Sequence, residues 1–307
     1  MSDSHPDAGS SVGSRQKAGG SLKQSGDCDQ AERYRRLCLH TVTTKPWPIE
    51  TAVERYSRAG IGGITIWRDA LSGRSPESVG RHVRDAGLSI VSLCRGGFFA
   101  SADRNERERA LNDNRAAIRE AQGLGAPLVV LVCGADPRQS LVESRKQIVE
   151  GIGALAPFAR ECGVKLGIEP LHPMYADTRS AIVTLRQARE ACEAVGAANV
   201  GVVVDVYHVW WDQDIDIELQ KLGADRIFAY HICDWRVPTE RMLTDRGIMG
   251  DGCIPLESIG SSVRNAGFVG FEEVEIFSTR LWAEDQDDVL ARILAAWEPA
   301  RRHNTKE

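Results

Sequence analysis

The sequence lacks a long apolar segment, an excess of positive charge and a recognisable export signal. No apolar run approaches the roughly 18 residues needed to cross a bilayer, and residues 1–30 contain no apolar stretch of the secretory kind. The chain has 38 Lys and Arg residues against 43 Asp and Glu residues, a formal net charge of −5, so no overall field favours a polyanion. We therefore expect a cytoplasmic protein that binds neither a membrane nor a nucleic acid.

Paired cysteines are also missing. The eight cysteines never occur as Cys-x-x-Cys, and several lie in apolar runs, a pattern typical of buried reduced thiols rather than of a disulfide framework. A chain of 307 residues, 42% of them hydrophobic, can bury about 75% of its unfolded surface without such cross-links. Any bound metal would therefore serve chemistry rather than folding.

Residues 1–30 are poor in apolar side chains. They contain seven Ser, five Gly and no aromatic residue, so they cannot bury enough surface to offset the entropy of ordering. We predict a disordered tail over residues 1–30 and a single catalytic domain over residues 31–307.

One pattern recurs from residue 31 onward: an amphipathic segment ends in glycine, and a short apolar run follows. The glycines, each suited to a left-handed helix C-cap, are Gly60, Gly87, Gly125, Gly163, Gly196, Gly223 and Gly267. The apolar runs predict strands over residues 37–42, 64–67, 89–94, 128–132, 165–169, 200–205, 227–232 and 271–277. Strict alternation predicts a parallel sheet. Eight units over roughly 250 residues favour a closed (β/α)8 TIM barrel over an open doubly wound sheet.

Potential metal ligands end the last four predicted strands. They are Glu169, Asp205, His231 and Glu275. The C-terminal strand ends of a TIM barrel form its active site, and three carboxylates converging there would repel one another unless a cation lay between them. Three oxygens and one imidazole suit one Mn²⁺, Mg²⁺ or Co²⁺ ion better than Zn²⁺, and Mn²⁺ is our first expectation. The alternative is that each residue is an ordinary strand terminator, paired or solvated.

This arrangement resembles the xylose isomerase-like barrel superfamily. The resemblance rests on the Glu, Asp, His, Glu set, on His208 three residues after the Asp and on Arg236 five residues after the His, and it covers residues 37–298. The superfamily includes sugar phosphate isomerases, ketose 3-epimerases, inosose dehydratases and an abasic-site nuclease branch.

The nuclease branch can be tested on its histidines, because it needs additional ones after strands two and three and in an Asp-x-His pair. This chain has seven His in all. The three places read Trp67-Arg68-Asp69, Cys94-Arg95-Gly96-Gly97 and Asp251-Gly252-Cys253. A three-metal nuclease site is therefore not expected.

The resemblance implies roles for several residues. Glu169 and Glu275 would flank the substrate carbon, one removing its proton and the other returning it, while the metal would acidify that hydrogen. His208 would contact a substrate oxygen, and Arg236 would steady the enediolate charge. Where the 3-epimerases commonly have a further Glu, this chain has Tyr175, so the substrate oxygens bound there must differ.

Other candidates for substrate contact follow from position alone. His40 ends the first strand, Trp67 the second and Arg95 the third. A tryptophan face suits a sugar ring, and Arg95 suits a hydroxyl, carboxylate or phosphate. Four further tryptophans would either wall the mouth or cover a contact in a homo-oligomer: Trp210, Trp211, Trp235 and Trp282.

We therefore expect a metal-dependent enzyme that isomerises or epimerises a keto-sugar or related polyol through an enediolate. A metal-dependent lyase of the inosose dehydratase or 3-oxo-glycoside deglycosidase type would share the first step and its residues, so the sequence leaves it open. A non-catalytic binding subunit is the third alternative, which is disfavoured because all four ligands and both acid-base glutamates are present.

Overall fold

The computed structural model describes residues 33–302, with side chains described as far as residue 297. The predicted tail, residues 1–30, lies outside the described residues, so the domain boundary at residue 31 stays a prediction. Within residues 33–302, no helix combines the length and apolar character required to cross a membrane.

Eight parallel strands form a closed barrel, which confirms the predicted TIM fold. The strands of the molecule are β1 (Leu37–His40), β2 (Gly63–Trp67), β3 (Ser89–Gly97), β4 (Leu128–Val132), β5 (Lys165–Glu169), β6 (Val200–Asp205), β7 (Ile227–Ile232), β8 (Asp234–Trp235), β9 (Arg246–Gly247) and β10 (Glu272–Val274). The first seven strands follow chain order around the barrel, and β10 closes it between β7 and β1. The short strands β8 and β9 form a separate antiparallel ribbon after β7, which the sequence pattern did not predict.

Helices connect the strands and cover the barrel. They are α1 (Ile49–Arg58), α2 (Pro76–Asp85), α3 (Arg104–Leu124), α4 (Leu141–Glu161), α5 (Leu185–Val195), α6 (Val206–Val209), α7 (Ile215–Arg226), α8 (Leu256–Asn265), α9 (Thr279–Trp282) and α10 (Gln286–Arg302). The apolar stripe of α1 buries Ile49, Ala52, Val53 and Tyr56 against the barrel, as the helical spacing requires.

The glycines predicted to end the helices have the expected backbone conformation. All seven have positive φ, between 61° and 94°. Gly125 and Gly196 are left-handed C-caps of α3 and α5, a conformation that residues with a Cβ rarely adopt. Gly223 is the exception, because it lies at a kink inside α7 with ψ of −179° rather than beyond the end of the helix.

Three strand ends differ from the predicted ones. Strand β1 ends at His40 and β10 covers only three residues, whereas β3 continues to Gly97. Where β1 and β10 separate, the Thr43 hydroxyl donates to the carbonyl of Val274 at 2.9 Å and accepts from the amide of Ile276 at 3.1 Å, so a side chain replaces the backbone partner. Strand β3 runs on because a glycine at position 97 lets it approach Val132 closely; a Cβ there would lie 1.9 Å from the Val132 carbonyl oxygen.

The side chains that face the barrel interior change from apolar to ionisable toward the C-terminal strand ends. Val203 and Ala229 belong to an apolar cluster inside the barrel. Two residues further along the same strands are Asp205 and His231, which face the same side because side chains alternate along a strand. The two-residue periodicity of the strands therefore places the ionisable side chains inside the barrel, at its mouth.

Candidate metal centre

The four predicted metal ligands lie together at the mouth of the barrel. Glu169 and Asp205 are the last residues of β5 and β6, His231 lies near the end of β7, and Glu275 directly follows β10. All four are buried, with exposed fractions between 0% and 4%. One ligand atom from each lies within 4.8 Å of the others, which is the spacing of a single coordination sphere.

The donor set fits a divalent cation. Oε1 of Glu169 and both ring nitrogens of His231 are buried without a hydrogen-bond partner, although Nδ1 of His231 lies 3.2 Å from that oxygen. Buried polar atoms without partners are costly, and native structures avoid them. A cation among these atoms would supply the missing partner, and three carboxylates with one imidazole would bind it. Two further groups of possible ligands overlap this site: His40, His231 and Glu273 share His231 with it, and His40, Cys94 and Glu275 share Glu275 with it.

Arg246 is the site residue that sequence reasoning missed. It lies on β9 and is 3% exposed. Its Nη1 lies 2.8 Å from Oδ2 of Asp205 and 3.0 Å from Oε2 of Glu275, and its Nη2 lies 3.1 Å from Nε2 of His208. The guanidinium also stacks over the ring of Tyr207, with Cζ 4.5 Å from the ring centroid. The sequence does not distinguish this arginine from the other arginines between β7 and α8. Its side chain faces the barrel interior only because β8 and β9 pair as a ribbon.

The charges of this cluster shift the pKa values of the carboxyl groups in opposite directions. Burial raises the pKa of Asp205 to about 7, although Arg246 opposes that shift. Burial alone would also raise the pKa of Glu275, but His40 and Arg246 together hold it well below its usual range. Glu275 therefore stays ionised without a metal.

Glu273 and His40 form a second buried layer beneath the ligands. Nδ1 of His40 lies 3.0 Å from Oε1 of Glu275, and its Nε2 lies 3.2 Å from Oε2 of Glu273. The Thr65 hydroxyl donates to the same Glu273 oxygen at 2.6 Å. Glu273 was not predicted, although its position two residues before Glu275 was a usable signal because alternate strand residues share a face. His40 is fully buried, so it bridges two carboxylates instead of facing the open mouth as predicted.

The chain matches the family model described as the xylose isomerase-like TIM barrel over residues 53–297. The chain belongs to this family. The match confirms the resemblance inferred from the ligand set.

Several members of the family are similar over most of the fold. The curated inosose isomerase of Halalkalibacterium halodurans is 28% identical over 197 residues, which are 63% of this chain and 68% of that protein. The crystal structure of a protein from Sinorhizobium meliloti 1021 is 43% identical, with a TM-score of 0.84 over 87% of this chain and 98% of that one. The IOLI protein, whose structure holds a zinc atom, is 21% identical, with a TM-score of 0.78 over 89% of this chain and 100% of that one.

The remaining predicted contacts of this xylose isomerase-like barrel divide into two groups. His208 lies in the site, 3.7 Å from Oδ2 of Asp205 through Nε2, and its Nδ1 accepts from the amide of His172 at 3.2 Å. Burial lowers the pKa of His208 well below its usual value, and Arg246 lowers it further, so the imidazole is neutral. Trp67 also lies beside the site, because its Nε1 is 3.3 Å from Nδ1 of His40.

Two predicted substrate contacts are already occupied within the chain. The Tyr175 hydroxyl donates to the backbone carbonyl of Met242, and the side chain is 4% exposed. The Arg236 guanidinium pairs with Asp245 at the base of the ribbon. Arg246, and not Arg236, therefore contacts the carboxylates of the centre, because β9 turns that side chain into the barrel.

The predicted tryptophan wall is partly visible. Trp235 stacks on Tyr207 with ring centroids 4.7 Å apart and lies 5.7 Å from Trp210. Trp282 donates through Nε1 to the carbonyl of Val42 at 2.8 Å, on the other side of the mouth. These side chains are half-buried within the chain itself. A contact between subunits at this surface stays a prediction.

Proposed function

We propose that this chain is an isomerase or epimerase that uses one divalent metal ion and acts on a keto-sugar or related polyol through an enediolate. The observation that carries the proposal is the convergence of Glu169, Asp205, His231 and Glu275 within 4.8 Å at the mouth of the barrel. The name of the similar curated protein, inosose isomerase, supports a polyol-like substrate. Mn²⁺ as the ion, a homo-oligomeric state and a cytoplasmic location stay predictions.

The four clustered residues would hold the ion. A divalent ion bound there would polarise the substrate carbonyl and so acidify the hydrogen on the neighbouring carbon. The zinc atom in the IOLI structure belongs to that protein, and the choice among divalent ions for this chain rests on its own oxygen-rich donor set.

The two glutamates have different surroundings, which suggests different roles. With Oε1 of Glu169 on the ion, the other oxygen of this carboxylate would accept the substrate proton. Glu275 accepts from Arg246 and lies 3.0 Å from His40. In an epimerisation, Glu275 would return a proton taken from solvent to the opposite face of the carbon, while His40, 3.0 Å from its Oε1, would hold this carboxylate in place.

Two further residues would orient the substrate. The Nδ1 of neutral His208 accepts from the His172 amide, so the ring proton is on Nε2, from which it would donate to a substrate oxygen. The aromatic side chains of Trp67 and Trp235 line the mouth, where their faces suit the apolar face of a sugar ring.

Proton exchange with solvent tests the proposal. The Mn²⁺-loaded protein is incubated in deuterated water with a panel of keto-sugars and inososes, and the products are followed by NMR. Deuterium in a rearranged sugar is expected, and exchange should stop when the metal is removed by a chelator. Net loss of water or of an aglycone would instead identify the lyase alternative. Absence of exchange and of elimination with every substrate would contradict an enzyme of this class.

A further inference from the structure

Two arginines at the mouth of the barrel lack an acidic partner. Arg95 lies near the end of β3, and Arg179 lies in the loop between β5 and α5. Both are half-buried, yet neither side chain makes a hydrogen bond or ion pair with the part of the chain that the structure describes. Elsewhere at this end of the barrel, Arg68 pairs with Glu120 and Asp113. Burying part of a guanidinium without a counter-charge is costly. Two such arginines at the mouth of the barrel therefore suggest that an anion binds there.

The fold holds Arg95 in a defined place. The register of β3 against β4 shifts between Cys94 and Gly96, so Arg95 is the extra residue of a bulge. Such bulges redirect a side chain next to active sites. The guanidinium lies over the ring of Phe98, with Cζ 4.3 Å from the ring centroid. It is therefore stacked and oriented rather than free in solvent.

The same patch connects Arg95 to Arg179. The amide of Gly134 donates to the carbonyl of Arg179 at 2.7 Å. Gly134 packs directly against Phe98, since a Cβ on this glycine would lie 2.8 Å from the Cα of Phe98. Burial lowers the pKa of Arg95, the positive charges of Arg179 and Arg68 lower it further, and Asp113 opposes them. An anion bound beside Arg95 and Arg179 would relieve the cost of burying their charges.

This patch adjoins the metal centre. Phe98 packs on the cluster that contains Val132 and Tyr175. The ring of Tyr175 lies 5.8 Å from that of His208, which contacts Asp205. The arginines thus flank one side of the mouth, while the proposed acid-base groups lie below it.

We propose that Arg95 and Arg179 bind an oxyanion group of the substrate, a carboxylate or a phosphate, while its keto end lies at the metal centre. The proposal rests on the proposed function, because it assigns a substrate class to that same site. Two guanidinium groups present forked donors that match the oxygens of either anion, and each bond is assisted by charge. A neutral polyol would leave both charges uncompensated.

Three ligands with one skeleton test the proposal: D-fructose, D-fructuronate and D-fructose 6-phosphate, which differ only at C6. Their affinities for the Mn²⁺-loaded protein are measured by calorimetry. We expect at least one anion to bind roughly 10- to 100-fold more tightly than D-fructose. This is the gain in affinity that a hydrogen bond to a charged group typically provides. The carboxylate and phosphate arms then identify which anion fits.

Variants assign the preference to the two arginines. Arg95→Gln and Arg179→Gln should each remove most of the anion preference, measured as the ratio of the affinity for the anion to that for D-fructose, whereas Arg95→Lys should retain part of it. Arg81→Gln, an exposed arginine on α2, is the charge-matched control and should behave as the wild type. Equal affinity for the three ligands, including no measurable binding of either anion, would overturn the proposal, as would an anion preference that survives both glutamine variants.

The binding and exchange experiments can contradict the two proposals independently of each other. Anion binding that depends on the arginines, without deuterium exchange into any substrate, would support the arginine pair and contradict the isomerase. Exchange into a neutral keto-sugar with equal affinities for all three ligands would contradict the pair alone.

Discussion

Arg246 donates to Asp205 inside the barrel, with Nη1 2.8 Å from Oδ2 and both side chains at most 4% exposed. The same nitrogen lies 3.0 Å from Oε2 of Glu275. This guanidinium supplies positive charge to a group of carboxylates when no cation is bound. A buried ion pair need not stabilise a fold relative to apolar packing, but removal of one partner leaves an uncompensated buried charge.

Replacing Arg246 should therefore destabilise the protein, and more so without metal. Arg246→Met is expected to lower the free energy of unfolding of the metal-free protein by about 3–5 kcal/mol. The loss of stability should be smaller with saturating Mn²⁺, because the ion compensates the charge of the buried carboxylates that Arg246 no longer pairs with. Urea unfolding with and without the ion measures both values. Arg104→Met is the control: this arginine pairs with Glu108 on the surface of α3, both side chains are mostly exposed, and the change should cost under about 1 kcal/mol. Equal losses for the two variants would contradict the account.

Glu169→Gln should abolish proton transfer while leaving the fold intact. The amide keeps the volume and one oxygen but cannot accept the substrate proton, so deuterium exchange should fall roughly 10²- to 10⁴-fold. Glu275→Gln should produce a loss in the same range. NMR exchange rates and circular dichroism separate the effect on chemistry from unfolding. Glu161→Gln, at the exposed end of α4, should exchange at the wild-type rate. Wild-type exchange in Glu169→Gln would reject its assignment as the base.

Metal affinity should weaken as the pH falls through about 7, because burial raises the pKa of Asp205 to about 7 and the ligand must be deprotonated. Below that pKa, Asp205 alone should weaken Mn²⁺ binding by about tenfold for each pH unit, since it must lose one proton. His231 must also be deprotonated to bind the ion; burial alone would lower its pKa, but the carboxylates of Glu169 and Glu275 raise it well above the ordinary value, so it should add to the loss. Above the pKa of Asp205, the contribution of this residue should level off. Calorimetric titration of the metal-free protein with Mn²⁺ on both sides of pH 7 measures the slope. An affinity that stays constant through this interval would be inconsistent with Asp205 as a ligand.

Local signals in the sequence were enough for the fold and for the four clustered residues. Helix-ending glycines such as Gly125, and apolar runs ending in Glu169 or Asp205, are encoded within a few residues, and strand-helix alternation then limits the topology to a barrel. Convergence of the ligands follows from the shared direction of parallel strands.

The charged groups around these four residues depend on longer-range geometry. Strand β10 contains adjacent glutamates, and pairing of Glu273 with His231 sends Glu273 inward, whereas Glu272 accepts from Trp297 on the outside. Arg246 is brought inward by a ribbon of two short strands, which no periodicity reveals. The family resemblance assigned Arg236 to the enediolate charge, and that role stays a prediction for a side chain that pairs with Asp245.

The buried contacts of His40 predict a pH-dependent stability of the metal-free protein. Burial alone would lower the pKa of His40, but the carboxylates of Glu275 and Glu273 raise it above the ordinary value of 6.5. Because the folded pKa is raised, the stabilisation is fully present below pH 6.5 and is lost as the pH rises through the folded value. Urea unfolding across this range should show the loss in the wild type and in His82→Gln, an exposed control on α2. His40→Gln should lack it; a profile identical to the wild type would exclude this origin.

The most direct test of the central claim is the position of the cation itself. A crystal of the protein grown with Mn²⁺ gives an anomalous difference map, in which the ion identifies its own ligands. We predict one peak, with an oxygen of Glu169, Asp205 and Glu275 and a ring nitrogen of His231 each at about 2.0–2.3 Å from it. A peak elsewhere, a peak that excludes any of these four residues, or no peak at saturating Mn²⁺ would contradict the proposed centre.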